Sequence, residues 1–227
     1  LSTTALSDGL FVTRSRFLSS NIYSSKNGVL IMQQHTLLLV GLVLFLGIHS
    51  ARIFADDARS RFIAARGELA WKGVYALLSI AGFVLLVYGY AEARTAPITL
   101  WQPPVWTRHV AALLTLPAFI MLAAAYIPSN GIKARLKHPM LLGTKTWALA
   151  HLLSNGSLAD VLLFGGFLVW AVLCFRACRQ RDRATGKVYE SRGAVRTVGA
   201  VAIGVVAWFV FAMYLHAALI GVAPFAR

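Results

Sequence analysis

Five apolar runs, at 36–54, 73–90, 107–127, 158–176 and 195–222, dominate the chain and leave few folds open to it. A bilayer core about 30 Å thick needs roughly 20 apolar residues per helix, and each of these runs is close to or above that length. A sixth run, 140–153, is shorter and contains Lys145. Strands are a poor alternative, because a sheet edge cannot face lipid and the alternation of a membrane barrel is missing. Only 13% of the residues are charged, whereas soluble domains carry about 25%. The expected fold is therefore all-α, a polytopic membrane bundle of about six transmembrane helices whose fourth is short or discontinuous.

The formal net charge of +14 invites a nucleic-acid reading, but the basic residues lie between apolar runs instead of forming a stripe beside a modest core. They sort by side. The segments after the first, third and fifth helices hold sixteen Lys and Arg, from Arg52 to Lys72, Lys133 to Lys145 and Arg176 to Arg196; the opposite segments and both ends hold six at most. Because Lys and Arg accumulate on the cytoplasmic side, this places both termini outside the cytoplasm. Five spans would not reproduce the alternation. The expected partner is the lipid bilayer and not nucleic acid, and the basic 176–196 segment also suits contact with anionic lipid. Trp101 and Trp106, with Pro103 and Pro104, suit an outer interfacial loop. Cys174 and Cys178, four apart, match neither a zinc pair nor a redox C-x-x-C spacing.

Residues 1–31 are rich in Ser, Thr and Asn and precede Met32, where the apolar pattern begins. They read as a disordered or mis-annotated extension, with the transmembrane domain occupying 32–227.

Ionisable side chains inside a span are costly and are the first candidates for function. Here they are His49, His109, His138, Lys145, His151, Asp160 and His216. Neutral imidazole is the cheapest of these to bury and is also a common haem or metal ligand. Gly143, Trp147, His151 and Asn155 recur every four residues and so share one helix face, which could line a pocket; a histidine bonded to a neighbouring helix would show the same spacing, and His49 is open to the same two readings. His138-Pro139 follows a basic segment and reads as a helix start. No nucleophile paired with a base, no phosphate loop and no H-E-x-x-H occurs, which argues against hydrolytic or nucleotide-driven chemistry.

Several strings taken in order resemble the NnrU family: Leu46-Gly47-Ile48-His49-Ser50-Ala51-Arg52, Lys137-His138-Pro139-Met140-Leu141-Leu142-Gly143, Trp147-Ala148-Leu149-Ala150-His151-Leu152-Leu153-Ser154-Asn155-Gly156, Leu163-Phe164-Gly165-Gly166-Phe167, and Tyr214-Leu215-His216 through to Gly221 and Pro224. The resemblance spans about 32–224. It implies a small inner-membrane protein linked to nitrite and nitric oxide reduction in denitrifying bacteria, with nitrite or nitric oxide reductase components as partners. The family is similar to the plant 15-cis-zeta-carotene isomerase, which holds haem b through histidines. That likeness implies haem b here, redox or isomerase-like chemistry, His49 and His151 as iron ligands, and His138, Trp147 and Asn155 around the cofactor. Ala148 stands where the isomerase has a cysteine, so a ligand switch through that thiol is not available.

Depth qualifies this pairing. His49 lies thirteen residues beyond Thr36, about 20 Å at 1.5 Å per residue; if the fourth helix starts at His138, His151 is about 10 Å from it in depth. If the bilayer boundary instead lies near Lys145, the two imidazoles meet and 154–157 becomes a broken turn within the membrane, the arrangement expected here. Two other functions compete. The His138-Pro139-Met140 string also resembles the isoprenylcysteine-type membrane methyltransferases, although Arg179-Gln180-Arg181-Asp182-Arg183 stands where those enzymes carry a Glu-Glu pair. The other is a non-catalytic assembly or transport factor for a reductase.

Overall fold

The computed structural model describes residues 35–225, so the expected boundary at 31–32 lies outside the described residues. The described residues are helical apart from turns and connecting segments, with an isolated β-bridge between Thr99 and Ser157. In chain order the helices are α1 (His35–His49), α2 (Ala51–Phe54), α3 (Asp56–Arg66), α4 (Glu68–Ala93), α5 (Trp106–Tyr126), α6 (Gly131–Leu136), α7 (Pro139–Ser154), α8 (Leu158–Ala184), α9 (Ala194–Val210) and α10 (His216–Ile220), the last two joined by a π turn over Phe211–Leu215. Among the described residues, four segments are long and apolar enough to cross a membrane: α4, α5, α8 and the continuous stretch Ala194–Ile220. With the shorter α1 and α7 they make up the expected set of about six. The fourth membrane helix, α7, is short and unbroken.

The bundle is ordered by close backbone approach. Apolar side chains gain little from leaving lipid for one another, so small residues that let helices touch decide which helices pair. On the face of α4, Gly82, Leu86 and Gly89 meet α1: a Cβ at Gly82 would lie 2.6 Å from the Phe45 nitrogen, and Gly41 and Gly89 abut the backbones of Leu86 and Leu38. A Cβ at Gly143 on α7 would lie 2.9 Å from the Ala118 carbonyl on α5, and Gly204 brings α9 onto Ile120. Helix α8 fills the other side of α1, with Gly166 under Leu42 and Leu46, and also packs on α7 and α4. A core of Leu38, Leu42, Leu86, Ala148, Leu163 and Phe164 therefore joins α1, α4, α7 and α8, while α5 and α9 extend the bundle beyond α7.

The ends are set by polar side chains. Ser157 and Asp160 form a reciprocal capping box that starts α8, satisfying amides that hydrocarbon could not. Tyr90 from α4 donates to the same carboxylate at 2.6 Å. At the basic end, fully buried Asn130 donates to the Ala124 and Ile127 carbonyls and accepts from the Lys133 amide. Pro139 then occupies the first turn of α7, where its missing N–H costs nothing. Lys145, the charge that interrupts the sixth apolar run, places its ammonium 3.9 Å from the centre of the Phe175 ring, an attraction that strengthens when water is absent.

Candidate functional site

His49 is the last residue of α1. Its Nδ1–H donates to the Phe45 carbonyl at 2.6 Å, and its ring packs against Phe45 at 4.2 Å, Tyr75 at 5.2 Å and Trp170 at 6.2 Å between centroids. His151, one turn before the end of α7, repeats the device: Nδ1–H donates to Trp147 at 2.9 Å, and the ring stacks on Phe164 at 4.6 Å. A carbonyl on Nδ1 fixes the tautomer and leaves the Nε2 lone pair outward, the state of a metal-bound imidazole. Neither Nε2 has a hydrogen-bond partner among the described residues. Near His49 two further polar atoms are buried without a partner, the Trp170 Nε1–H and the Ser79 hydroxyl; Ser79 lies one turn along α4 from Tyr75. An unmet buried donor costs about 1–3 kcal/mol, so this end has polar capacity in reserve.

The two imidazoles do not meet. Helix α8 serves as a ruler, with His49 against Trp170 and His151 against Phe164, six residues and thus about 9 Å apart along the axis. Between them run Phe45, Phe167 and Trp147, with centroid steps of 5.9 Å from Phe45 to Phe167, 5.6 Å to Trp147 and 5.1 Å to His151. With α7 starting at Pro139, the offset is the one expected for a fourth helix that begins at His138, and Lys145 sits beside Phe175, seven residues or about 10 Å along α8 from Asp182. The 154–157 turn closes the other end, where Leu100 and Leu158 donate to the carbonyls of Gly156 and Ile98. Haem b therefore fits the donor chemistry of either imidazole taken singly and does not fit the two as axial ligands of one iron.

The remaining candidates divide. Trp147 lies in the aromatic seam. Asn155 caps α7, donating to the His151 carbonyl at 2.9 Å, so it closes the helix beneath the imidazole. His138 belongs to a separate cluster at the basic end: Nε2 meets Asp182 Oδ2 at 2.7 Å, and the Tyr189 hydroxyl donates to both oxygens of that carboxylate at 3.1 and 3.2 Å. Burial, then the bond to Asp182, pushes the Tyr189 phenol up to about 12. Asp182 and Tyr189 escaped the sequence reading because their segment reads as a run of arginines; the signal was Asp182, an acid set between Arg181 and Arg183. His216 follows the π turn and donates through Nδ1 to the Val222 carbonyl. Among the described residues no group of three or more His, Cys, Asp or Glu is placed to hold a metal ion.

An all-helical, multi-pass bundle with paired open imidazoles along an aromatic seam defines a class of small integral membrane proteins. The family model described as NnrU protein matches residues 37–224, and the chain belongs to the NnrU family. No curated protein and no solved structure matches it.

Proposed function

We propose that this protein works in the inner membrane of a denitrifying bacterium, with both termini periplasmic, in support of nitrite and nitric oxide reduction, and that the seam from His49 to His151 is its working site. The observation that carries this reading is the repeated tether, two imidazoles inside the bundle that each bind a carbonyl four residues back and keep Nε2 open. Phe45, Phe164, Phe167, Trp147 and Trp170 surround them, which excludes water and strengthens any bond made at Nε2. Haem b, the cofactor that the family resemblance implies, would supply redox or isomerase-like chemistry through one of these imidazoles. The excess of basic residues at one end supports the orientation.

The test is genetic. In a denitrifying strain lacking this gene, nitrite or nitric oxide should accumulate under anaerobic growth. The wild-type chain should restore turnover, and a His49→Ala, His151→Ala double variant present at equal level in the membrane should not. Full complementation by the double variant would instead make the protein an assembly or transport factor for a reductase, with no chemistry at the imidazoles.

A further inference from the structure

An open groove of about 630 Å³ runs between α1 and α8, and its lining is apolar apart from Ser50, whose hydroxyl is already committed to the Leu46 carbonyl. Its floor is set by Gly47 and Gly165, where an added Cβ would meet nothing within 4 Å; Val43, Val169 and Phe54 form its walls. The volume falls in the range of about 300–1,000 Å³ that takes a single ligand-sized molecule. Along α1 the groove extends from Leu42 to Ser50, about 12 Å at 1.5 Å per residue, and then reaches Ala51 and Phe54 at the basic end. That length matches one leaflet, about half of a 30 Å core. A spanning helix from a second copy would need a groove continuing across both.

The mouth carries the charge. Arg181 extends one guanidinium nitrogen to the Arg52 carbonyl at 3.1 Å and another to the Cys178 sulfur at 3.2 Å, which fixes the group beside α2 with further N–H donors still available. Arg52 and Arg59 lie on the same rim, with Asp56 at 3.9 and 3.5 Å as a competing acceptor. Arginine forks suit phosphate oxygens. From this juxtaposition we infer that the groove binds one anionic glycerophospholipid of the inner leaflet, an acyl chain lying over Gly47 and Gly165 and the phosphate held by Arg52 and Arg181. The groove adjoins the imidazole seam through Trp170, which lines both, but it uses neither imidazole and does not depend on haem.

The full chain, delipidated in detergent and exposed to vesicles containing equal amounts of phosphatidylcholine and phosphatidylglycerol, is repurified, and the phospholipid retained is measured by mass spectrometry. Wild type should keep one phosphatidylglycerol per chain. Gly165→Leu fills open space and should lose that lipid while its helical circular dichroism is unchanged; Gly47→Leu serves the same purpose if the first variant is poorly folded. An Arg52→Gln, Arg181→Gln variant should keep a lipid but lose preference for phosphatidylglycerol about 25-fold, two steps of the roughly fivefold that one arginine contributes at an anionic surface. Equal retention by wild type and both leucine variants would overturn the inference. So would an unchanged preference in the arginine variant, or wild-type pairing into dimers that Gly165→Leu separates.

Discussion

Asp160 shows how a single acid survives inside an apolar bundle. Its Oδ2 accepts from the Ser157 amide and hydroxyl and its Oδ1 from Tyr90, so the cost of burial is met by three donors. Tyr90→Phe should remove one of them and lower the thermal unfolding midpoint in detergent, with a loss of about 1–3 kcal/mol; an unchanged midpoint would mean that the capping box alone suffices. Tyr189 makes a pH-dependent counterpart at the basic end. Its phenol is held protonated by burial and by the bond to Asp182, with a pKa raised from 10.0 to about 12. A raised value means that the contribution is complete below pH 10 and lost as pH climbs through about 12. Proteolytic nicking of the 185–193 segment should therefore rise across that window in wild type, and Asp182→Asn should bring the rise to lower pH. The imidazoles themselves were visible in the sequence, because histidine within an apolar run is rare enough to stand out. Asp182 was not, since its worth depends on His138 and Tyr189, which only folding brings together.

At the scale of the elements, the long spans could be read from hydropathy because lipid imposes a length on them. The boundaries of α7 could be read as well, since the apolar run 140–153 and the start at His138-Pro139 match Pro139–Ser154 to within a residue. Hydropathy did not show the partner of Lys145, whose ammonium lies over the Phe175 ring on α8. The short α2, α3 and α6 and the π turn before His216 were equally hidden, since they lie in basic segments or depend on local backbone geometry. Helix pairing was hidden too, because glycine spacing shows that helices approach but not which ones. Gly204 is the clearest case, its position on α9 lying 2.5 Å, for a built Cβ, from the Ile120 Cα on α5. Gly204→Val should separate these helices and cost about 1–3 kcal/mol by overpacking, whereas Gly199→Val, which meets open space, should leave the midpoint in detergent nearly unchanged. Equal behaviour of the two variants would deny that α5 and α9 pair through this contact.

For the whole molecule, one asymmetry organises the rest: sixteen basic residues at one end, the His138–Asp182–Tyr189 cluster and α3 beside them, and Asp160, Tyr90 and the 154–157 turn at the other. Reporter fusions within 176–196 should report the cytoplasm and fusions after Phe225 the periplasm; the reverse would invert the bundle. Within that frame His49 and His151 occupy different depths with three aromatic rings between them. The sequence could suggest the pair through family likeness, but the offset depends on where α7 begins. Absorbance of the purified protein, oxidised and dithionite-reduced, after expression with haem precursor, tests this most directly. Ligation by one imidazole predicts a Soret band of a high-spin, singly ligated haem that one histidine-to-alanine substitution abolishes and the other leaves in place. A low-spin spectrum lost equally in His49→Ala and His151→Ala, or no Soret band in wild type, would contradict it.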